Sequence, residues 1–93
     1  MSKKIIAGNW KQNGTLKSSI SLAKKVLQAV KKAKYTHEII IIPPSIFLLP
    51  IRDLIHKSQI KLGAQNVSAF SDGAYTGEIS GSMLKDSGVD YCL

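Results

Sequence analysis

Four consecutive isoleucines, residues 39–42, constrain the fold of this 93-residue chain more than any other stretch. β-Branched side chains favour an extended strand. A run without polar alternation requires apolar surroundings on both faces of that strand, as in a parallel sheet covered by helices. Pro43 and Pro44 close the run, because proline cannot continue the hydrogen-bond ladder of a central strand. The run therefore predicts a buried strand in an α/β protein.

Helical periodicity precedes this strand. After the Asn13-Gly14 turn, apolar residues recur at steps of three and four, and Thr15 is a suitable N-cap. The apolar positions are Leu16, Ile20, Ala23, Val26, Leu27, Val30 and Ala33. Because lysines cluster at the far end, where the helix dipole favours positive charge, the pattern predicts one amphipathic helix.

The same alternation continues along the chain. Ser45 is expected to cap a second short helix, residues 60–64 to form a strand, and Ser80 to cap a third helix that stops at Gly88. A further strand begins at Asp90. Strands alternating with helices predict parallel, right-handed βαβ units. The spacing alone does not separate a doubly wound sheet from a barrel.

A polar cluster follows the first predicted strand, which is apolar at residues 5–7 and is expected to be buried. Side chains alternate along a strand, so Asn9 and Lys11 should share one face while Trp10 points to the other. An amide beside an ammonium at the end of a strand suggests an anion site. The alternative is that Lys11 is simply the first solvated residue after the strand.

Several separated motifs occur in the order typical of one enzyme family. They are AGNWKQNG at residues 7–14, PP at 43–44, LGAQN at 62–66, GAYTGEIS at 73–80, MLKD at 83–86 and DY at 90–91. The chain resembles triosephosphate isomerase over nearly its whole length. Tyr75 is a small departure, since the family usually carries another aromatic residue there.

The resemblance implies a (β/α)8 barrel, an architecture that needs about 250 residues. We therefore expect residues 1–93 to be the N-terminal βαβαβαβ part of a single barrel domain. Residues 89–93 read as the start of a strand without a closing turn, as if the sequence were cut there.

The resemblance also implies the chemistry. The family interconverts dihydroxyacetone phosphate and glyceraldehyde 3-phosphate through an enediol(ate), using no metal and no organic cofactor. Lys11 would be the catalytic and substrate-binding cation, and Asn9 would help to shape the substrate pocket. Gln65 would end the third strand at the same end of the barrel.

Two catalytic groups of the family have no counterpart here. The family is a standard example of a glutamate base working with a neutral histidine, and both are expected beyond Leu93. His37 and His56 do not match the motif position and are expected at the surface. Nothing places Glu38 or Glu78 beside Lys11. The 93 residues alone are therefore predicted to be inactive.

The loop at residues 66–79 is long for a βα connection, and such loops are commonly functional. In the family it inserts into a neighbouring subunit and forms most of a homodimer interface. By resemblance, Thr76 reaches the partner's site, Gly77 permits a tight tip and Glu78 makes a polar contact across the interface.

Charge raises an alternative function. The net charge is +7, which can indicate a nucleic-acid or anion-binding module. Five lysines lie on or just after the predicted first helix, and no aromatic residues interleave with them: Lys24, Lys25, Lys31, Lys32 and Lys34. A solvated helix face, without nucleic acid, is the favoured interpretation. A basic binding module and a non-functional truncation product remain as alternatives.

The cysteine count and the longest apolar region indicate the cellular compartment. The single cysteine, Cys92, excludes an internal disulfide, suits a reducing compartment and is expected to pack in the core. The longest apolar region, residues 39–51, is broken by three prolines and is too short to cross a bilayer. We therefore expect a cytoplasmic protein without a membrane association.

Overall fold

The fold alternates strands and helices along the whole chain. A computed structural model describes residues 3–34 and 36–93. Its elements are β1 (Ile5–Asn9), α1 (Leu16–Ala33), β2 (Glu38–Ile42), a 3₁₀ helix (Ser45–Phe47), α2 (Leu48–Ile55), β3 (Ile60–Ala64), α3 (Gly81–Asp86) and β4 (Tyr91–Cys92). The predicted order of elements is confirmed. The prediction of one domain over residues 1–93 also covers Met1, Ser2 and Tyr35, which lie outside the described residues.

The four strands form one parallel sheet in the order β1-β2-β3-β4. Ile39 of β2 lies opposite Ile6 of β1 on one side and Ile60 of β3 on the other. Gly63 pairs with Tyr91 of β4. Each new strand is thus added beside the previous one. A doubly wound sheet reverses its winding direction at a switch point, and this sheet does not.

All three helices pack on one face of the sheet. The buried residues of this core come from β2 and β3 (Ile39, Ile41, Ile60, Leu62, Ala64) and from the helices (Ala23, Val30, Leu48, Ile51, Ile55, Leu84). A doubly wound sheet would bury both of its faces under helices. Helices on one face only and a consecutive strand order are typical of a barrel. The structure therefore distinguishes the barrel from the doubly wound sheet, which the spacing of the elements did not.

The opposite face of the sheet is the one a closed barrel would enclose. Ile40 and Ile42 are buried there, next to Gly63. A Cβ atom at Gly63 would lie 2.9 Å from Ile42 Cγ1 and 3.3 Å from Ile40 Cγ2. Such contacts are too close for a real side chain, so this position needs glycine. The isoleucine run is buried on both faces, as predicted.

A hydrogen bond crosses this face near the amino-terminal ends of the strands. The Tyr91 hydroxyl donates to the Glu38 carboxylate and so links β4 to β2 across β3. The hydrogen bond to Glu38 raises the pKa of Tyr91 above its ordinary value of 10.0. Since the raised pKa favours the protonated phenol in the folded state, this link stabilises the fold below pH 10. Its contribution is lost as the pH rises through the raised pKa.

Side-chain caps fix the helix starts. Thr15 Oγ1 accepts from the Ser18 N–H at 3.1 Å, and Ser18 Oγ accepts from the Thr15 N–H at 2.8 Å, so Thr15 caps α1 as predicted. Ser80 caps α3 by accepting from the Met83 N–H at 3.2 Å. The prediction for Ser45 is wrong. Ser45 is the first residue of the 3₁₀ helix, and no side-chain cap bond is formed there.

The burial expected of the two edge strands is also wrong. All five residues of β1 are exposed, Ile5 to 62%. Cys92 was expected in the core but is exposed on β4. Both strands are edges of the described sheet, each with a neighbour on one side only, and an edge strand exposes the surface that a further strand would cover.

Candidate functional site

Lys11 lies where the carboxyl end of β1 leaves the sheet, and its backbone is left-handed, with φ 56°. The extended conformation ends at Asn9. The alternation that was expected to place Asn9 and Lys11 on one face therefore does not reach Lys11. Local periodicity could not show this, because alternation holds only while the backbone stays extended.

Two side chains hold the Lys11 backbone in this conformation. The Lys11 N–H donates to Asn9 Oδ1 at 3.0 Å. The Lys11 carbonyl accepts from Gln65 Nε2 at 2.7 Å. A left-handed backbone costs a residue other than glycine about 1–3 kcal/mol and persists only where its surroundings over-determine it. The structure therefore brings Asn9 and Lys11 together through the backbone of Lys11.

Gln65 is the site residue whose role the sequence did not reveal. Its Nε2 also donates to the Ile42 carbonyl at 3.1 Å, and that carbonyl accepts from the Trp10 N–H at 3.0 Å. One half-buried amide thus joins the carboxyl ends of β1, β2 and β3. Its partners lie 54 and 23 residues away along the chain. The only signal in the sequence was the position of Gln65 at the end of a strand.

The charge of Lys11 is not neutralised within the described chain. Lys11 is exposed, and the ion pair that forms in residues 3–34 and 36–93 joins Arg52 to Asp53 at 2.9 Å instead. An ammonium group without a carboxylate partner can stabilise an external anion, and here the backbone that carries it is held in place. The arrangement at the strand ends can therefore bind a phosphate or a developing oxyanion.

The other titratable candidates lie elsewhere. His37 precedes β2, and its Nδ1 accepts from the Lys4 N–H at 3.1 Å, at the opposite end of the sheet from Lys11. His56 is exposed at the C-terminal end of α2. Glu38 binds Tyr91 at the amino-terminal side of the sheet. None of these groups is part of the Lys11 cluster. Across the described residues, no three His, Cys, Asp or Glu side chains cluster as they would to hold a metal ion.

The loop at residues 66–79 is exposed over most of its length. The Ser68 N–H donates to the Ile79 carbonyl at 2.8 Å and closes the base of the loop. A turn follows in which the Glu78 N–H donates to the Tyr75 carbonyl at 3.0 Å. Gly77 has φ 90° at the third position of this turn, where a positive φ favours glycine. Thr76 and Glu78 flank Gly77 and are exposed.

Two aromatic rings are stacked on this loop. The Phe70 and Tyr75 ring centroids are 4.7 Å apart, with an interplanar angle of 9°. Phe70 is 57% exposed and Tyr75 is 45% exposed. Aromatic side chains are enriched at protein interfaces, so an exposed pair is a candidate contact surface.

Three comparisons relate the chain to known proteins. The sequence profile of the triosephosphate isomerase family matches residues 4–93. The triosephosphate isomerase of Rhodopirellula baltica is 44% identical over 94 residues, which cover 100% of this chain and 37% of the relative. That of Shewanella halifaxensis is 43% identical over 96 residues, with 96% and 36% covered. The chain therefore spans little more than a third of the length of these relatives.

A solved structure agrees with the sequences. The crystal structure of triosephosphate isomerase from Bartonella henselae superposes with a TM-score of 0.87 at 33% sequence identity. The superposition covers 98% of this chain and 37% of the other. In the described part of the chain, no helix is both long enough and apolar enough to cross a bilayer.

Proposed function

This chain belongs to the triosephosphate isomerase family, and we propose that it supplies the substrate cation of that isomerase reaction. The reaction converts dihydroxyacetone phosphate into glyceraldehyde 3-phosphate through an enediol(ate). Lys11 provides positive charge for the substrate phosphate and for the oxyanion that develops in the transition state. Asn9 fixes the N–H of Lys11 and contributes to the same substrate pocket.

The backbone of Lys11 is the observation that carries this proposal. Side chains from the ends of β1 and β3 hold an exposed lysine in a costly left-handed conformation. A merely solvated lysine needs no such support. Electrostatic catalysis does need it, because donors and charges aid a reaction most when they are already in place.

The base and the electrophile of the reaction must come from other parts of a complete barrel. The family's glutamate and histidine have no counterpart near Lys11 among the described residues. Tests of catalysis therefore use a fusion of residues 1–93 with the part of the Rhodopirellula baltica relative that this chain does not match. We call this fusion the completed enzyme.

Gln65→Met in the completed enzyme is expected to lower kcat/KM by about tenfold to a hundredfold. Methionine keeps the length of the side chain but removes the Nε2 donor, which leaves the carbonyls of Lys11 and Ile42 without that hydrogen bond. Each lost hydrogen bond costs about 0.5–1.5 kcal/mol net, and part of this cost appears as misplacement of Lys11. Steady-state kinetics and a Tm measurement check the prediction.

Gln28→Met is the matched control, since Gln28 is an exposed glutamine on α1. Its kinetics should remain those of the parent. If Gln65→Met folds with an unchanged Tm and retains parental kcat/KM, Gln65 does not position Lys11.

We further propose that the completed enzyme is a homodimer and that the loop at residues 66–79 docks into the partner. The exposed Phe70–Tyr75 stack supports this proposal by offering apolar contact area. The turn at Thr76, Gly77 and Glu78 gives the loop a defined shape before docking, which lowers the entropy cost of association.

Thr76→Asp combined with Gly77→Asp is expected to convert the completed enzyme to monomers and to lower its activity. Two new carboxylates would be desolvated in the interface, and Gly77 has a positive φ that aspartate adopts only with strain. Sedimentation velocity reports the oligomeric state. The control is Gln28→Asp on α1, which should leave the dimer intact. A dimeric double variant would remove the loop from this role.

A cytoplasmic location remains a prediction. It rests on the single cysteine, which is free in the structure and suits a reducing compartment. The substrate is a small phosphorylated triose, and no metal or organic cofactor enters the proposed reaction.

A further inference from the structure

A ridge of lysines runs along α1. The helix and its C-cap residue carry six lysines and no carboxylate: Lys17, Lys24, Lys25, Lys31, Lys32 and Lys34. All six are exposed. Lys17, Lys24 and Lys31 recur every seven residues and therefore lie on one side of the helix, along about 21 Å of its axis. Residues seven apart are separated by two turns, about 10.5 Å, so the three ammonium groups can face one extended ligand.

A groove between α1 and α2 adjoins this ridge. Its volume is about 380 Å³, and its lining combines aliphatic side chains with two lysines: Leu27, Val30, Leu54, Lys31, Lys57, Ser58 and Gln59. Among the described residues, the lining includes no carboxylate. Leu27 is three residues after Lys24 and four before Lys31, so these three side chains are neighbours on the helix surface. The groove thus joins an apolar floor to the positive ridge.

The groove is separate from the Lys11 site. It lies near the C-terminal end of α1, whereas Lys11 precedes the N-terminal end of that helix. Helices run antiparallel to the strands in βαβ units, so the groove is near the opposite end of the sheet. The inference does not depend on the proposed isomerase function.

We propose that the groove and the lysine ridge bind an acidic segment of a partner protein. One apolar side chain of the segment enters the space between Leu27, Val30 and Leu54. Its carboxylates pair with lysines on both sides of that space, chiefly Lys24, Lys31 and Lys57. Charge complementarity sets the orientation and the association rate, and the apolar contact slows dissociation.

The lining favours this occupant over two others. A single-stranded nucleic acid needs aromatic side chains on which bases stack, and neither α1 nor the described residues of the groove lining include one. A membrane needs an exposed apolar face that can enter the lipid. The buried residues of α1, including Ala23 and Val30, pack on the sheet. Leu16 and Leu22 are exposed, but they are six residues apart and so lie on different sides of the helix.

The test uses the completed enzyme and a labelled peptide with glutamates on both sides of one leucine. Fluorescence anisotropy at low salt should show saturable binding that weakens as salt rises. Lys31→Glu combined with Lys57→Glu is expected to weaken binding about tenfold or more. Lys85→Glu changes the charge on α3, away from the groove lining, and should change binding less than twofold.

Peptide variants test the groove without changing the protein. Replacing the leucine by serine should weaken binding about fivefold or more, because apolar burial is lost. Replacing the glutamates by glutamines should abolish binding. The proposal is overturned if the peptide does not bind, if the two protein variants weaken binding equally, or if the serine peptide binds as well as the leucine peptide. Tighter binding of oligouridine or of phosphatidylserine vesicles, lost in the Lys31/Lys57 variant, would also overturn it.

Discussion

Lys11→Met in the completed enzyme is expected to lower kcat/KM by about three orders of magnitude. Methionine preserves most of the side-chain stem but removes the ammonium group. The substrate phosphate and the developing oxyanion then lose the same positive charge, and one preorganised electrostatic contact contributes about 3 kcal/mol or more. Since the charge acts in both the ground state and the transition state, KM should rise and kcat should fall.

The control for this variant is Lys17→Met, which removes an exposed lysine six residues further along the chain. Its kinetics should match those of the parent, so that a general loss of positive charge is excluded as the cause. The Tm of the Lys11 variant should not fall, because methionine keeps the backbone N–H and carbonyl that bond to Asn9 and Gln65. Parental kinetics in folded Lys11→Met would falsify the assigned role.

The second large effect concerns the 93-residue chain by itself, which is expected to associate or to remain loosely packed. β1 and β4 are unpaired along their outer edges. Ile5 and Leu93 on or beside these strands are 62% and 69% exposed. Exposed strand edges with apolar side chains are templates for pairing with other chains. One face of the sheet also lacks the helices that cover the other.

Purified 93-residue material should therefore give broad, poorly dispersed amide signals or aggregate, with no isomerase activity above background. Binding of 1-anilinonaphthalene-8-sulfonate would report the exposed apolar surface. The completed enzyme serves as the control, since the same residues should become protected there. A soluble monomer that unfolds in one sharp, cooperative transition would contradict the prediction.

Local chemistry in the sequence was enough to predict the elements. The run at residues 39–42 predicted a strand buried on both faces, and Thr15 and Ser80 were recognised as helix caps. These signals work because each depends on atoms within a few residues of one another. The exception, Ser45, shows the limit of a residue type as a signal. Serine can cap a helix, but whether it does depends on the backbone around it.

The tertiary structure decided the burial of the sheet edges, and it confirmed the barrel winding that the resemblance implied but the strand spacing left open. Strand spacing is the same in a barrel and in a doubly wound sheet, and the order of the strands together with the positions of the helices on one face separates them. The exposure of β1 and Cys92 likewise depends on which strand lies alongside. A neighbouring strand that is distant in sequence leaves no pattern in the residues of the strand that it covers.

The site divides in the same way. The motif around Asn9 and Lys11 predicted the substrate cation through its resemblance to a family, because such a motif preserves residue types in order. The left-handed backbone of Lys11 and the two hydrogen bonds of Gln65 were not readable from the sequence. A side chain 54 residues away reaches the Lys11 carbonyl only after β1, β2 and β3 have come side by side. The sequence by itself therefore predicted which residue supplies the proposed substrate cation, and the packing of three strands decided how the backbone of that residue is held.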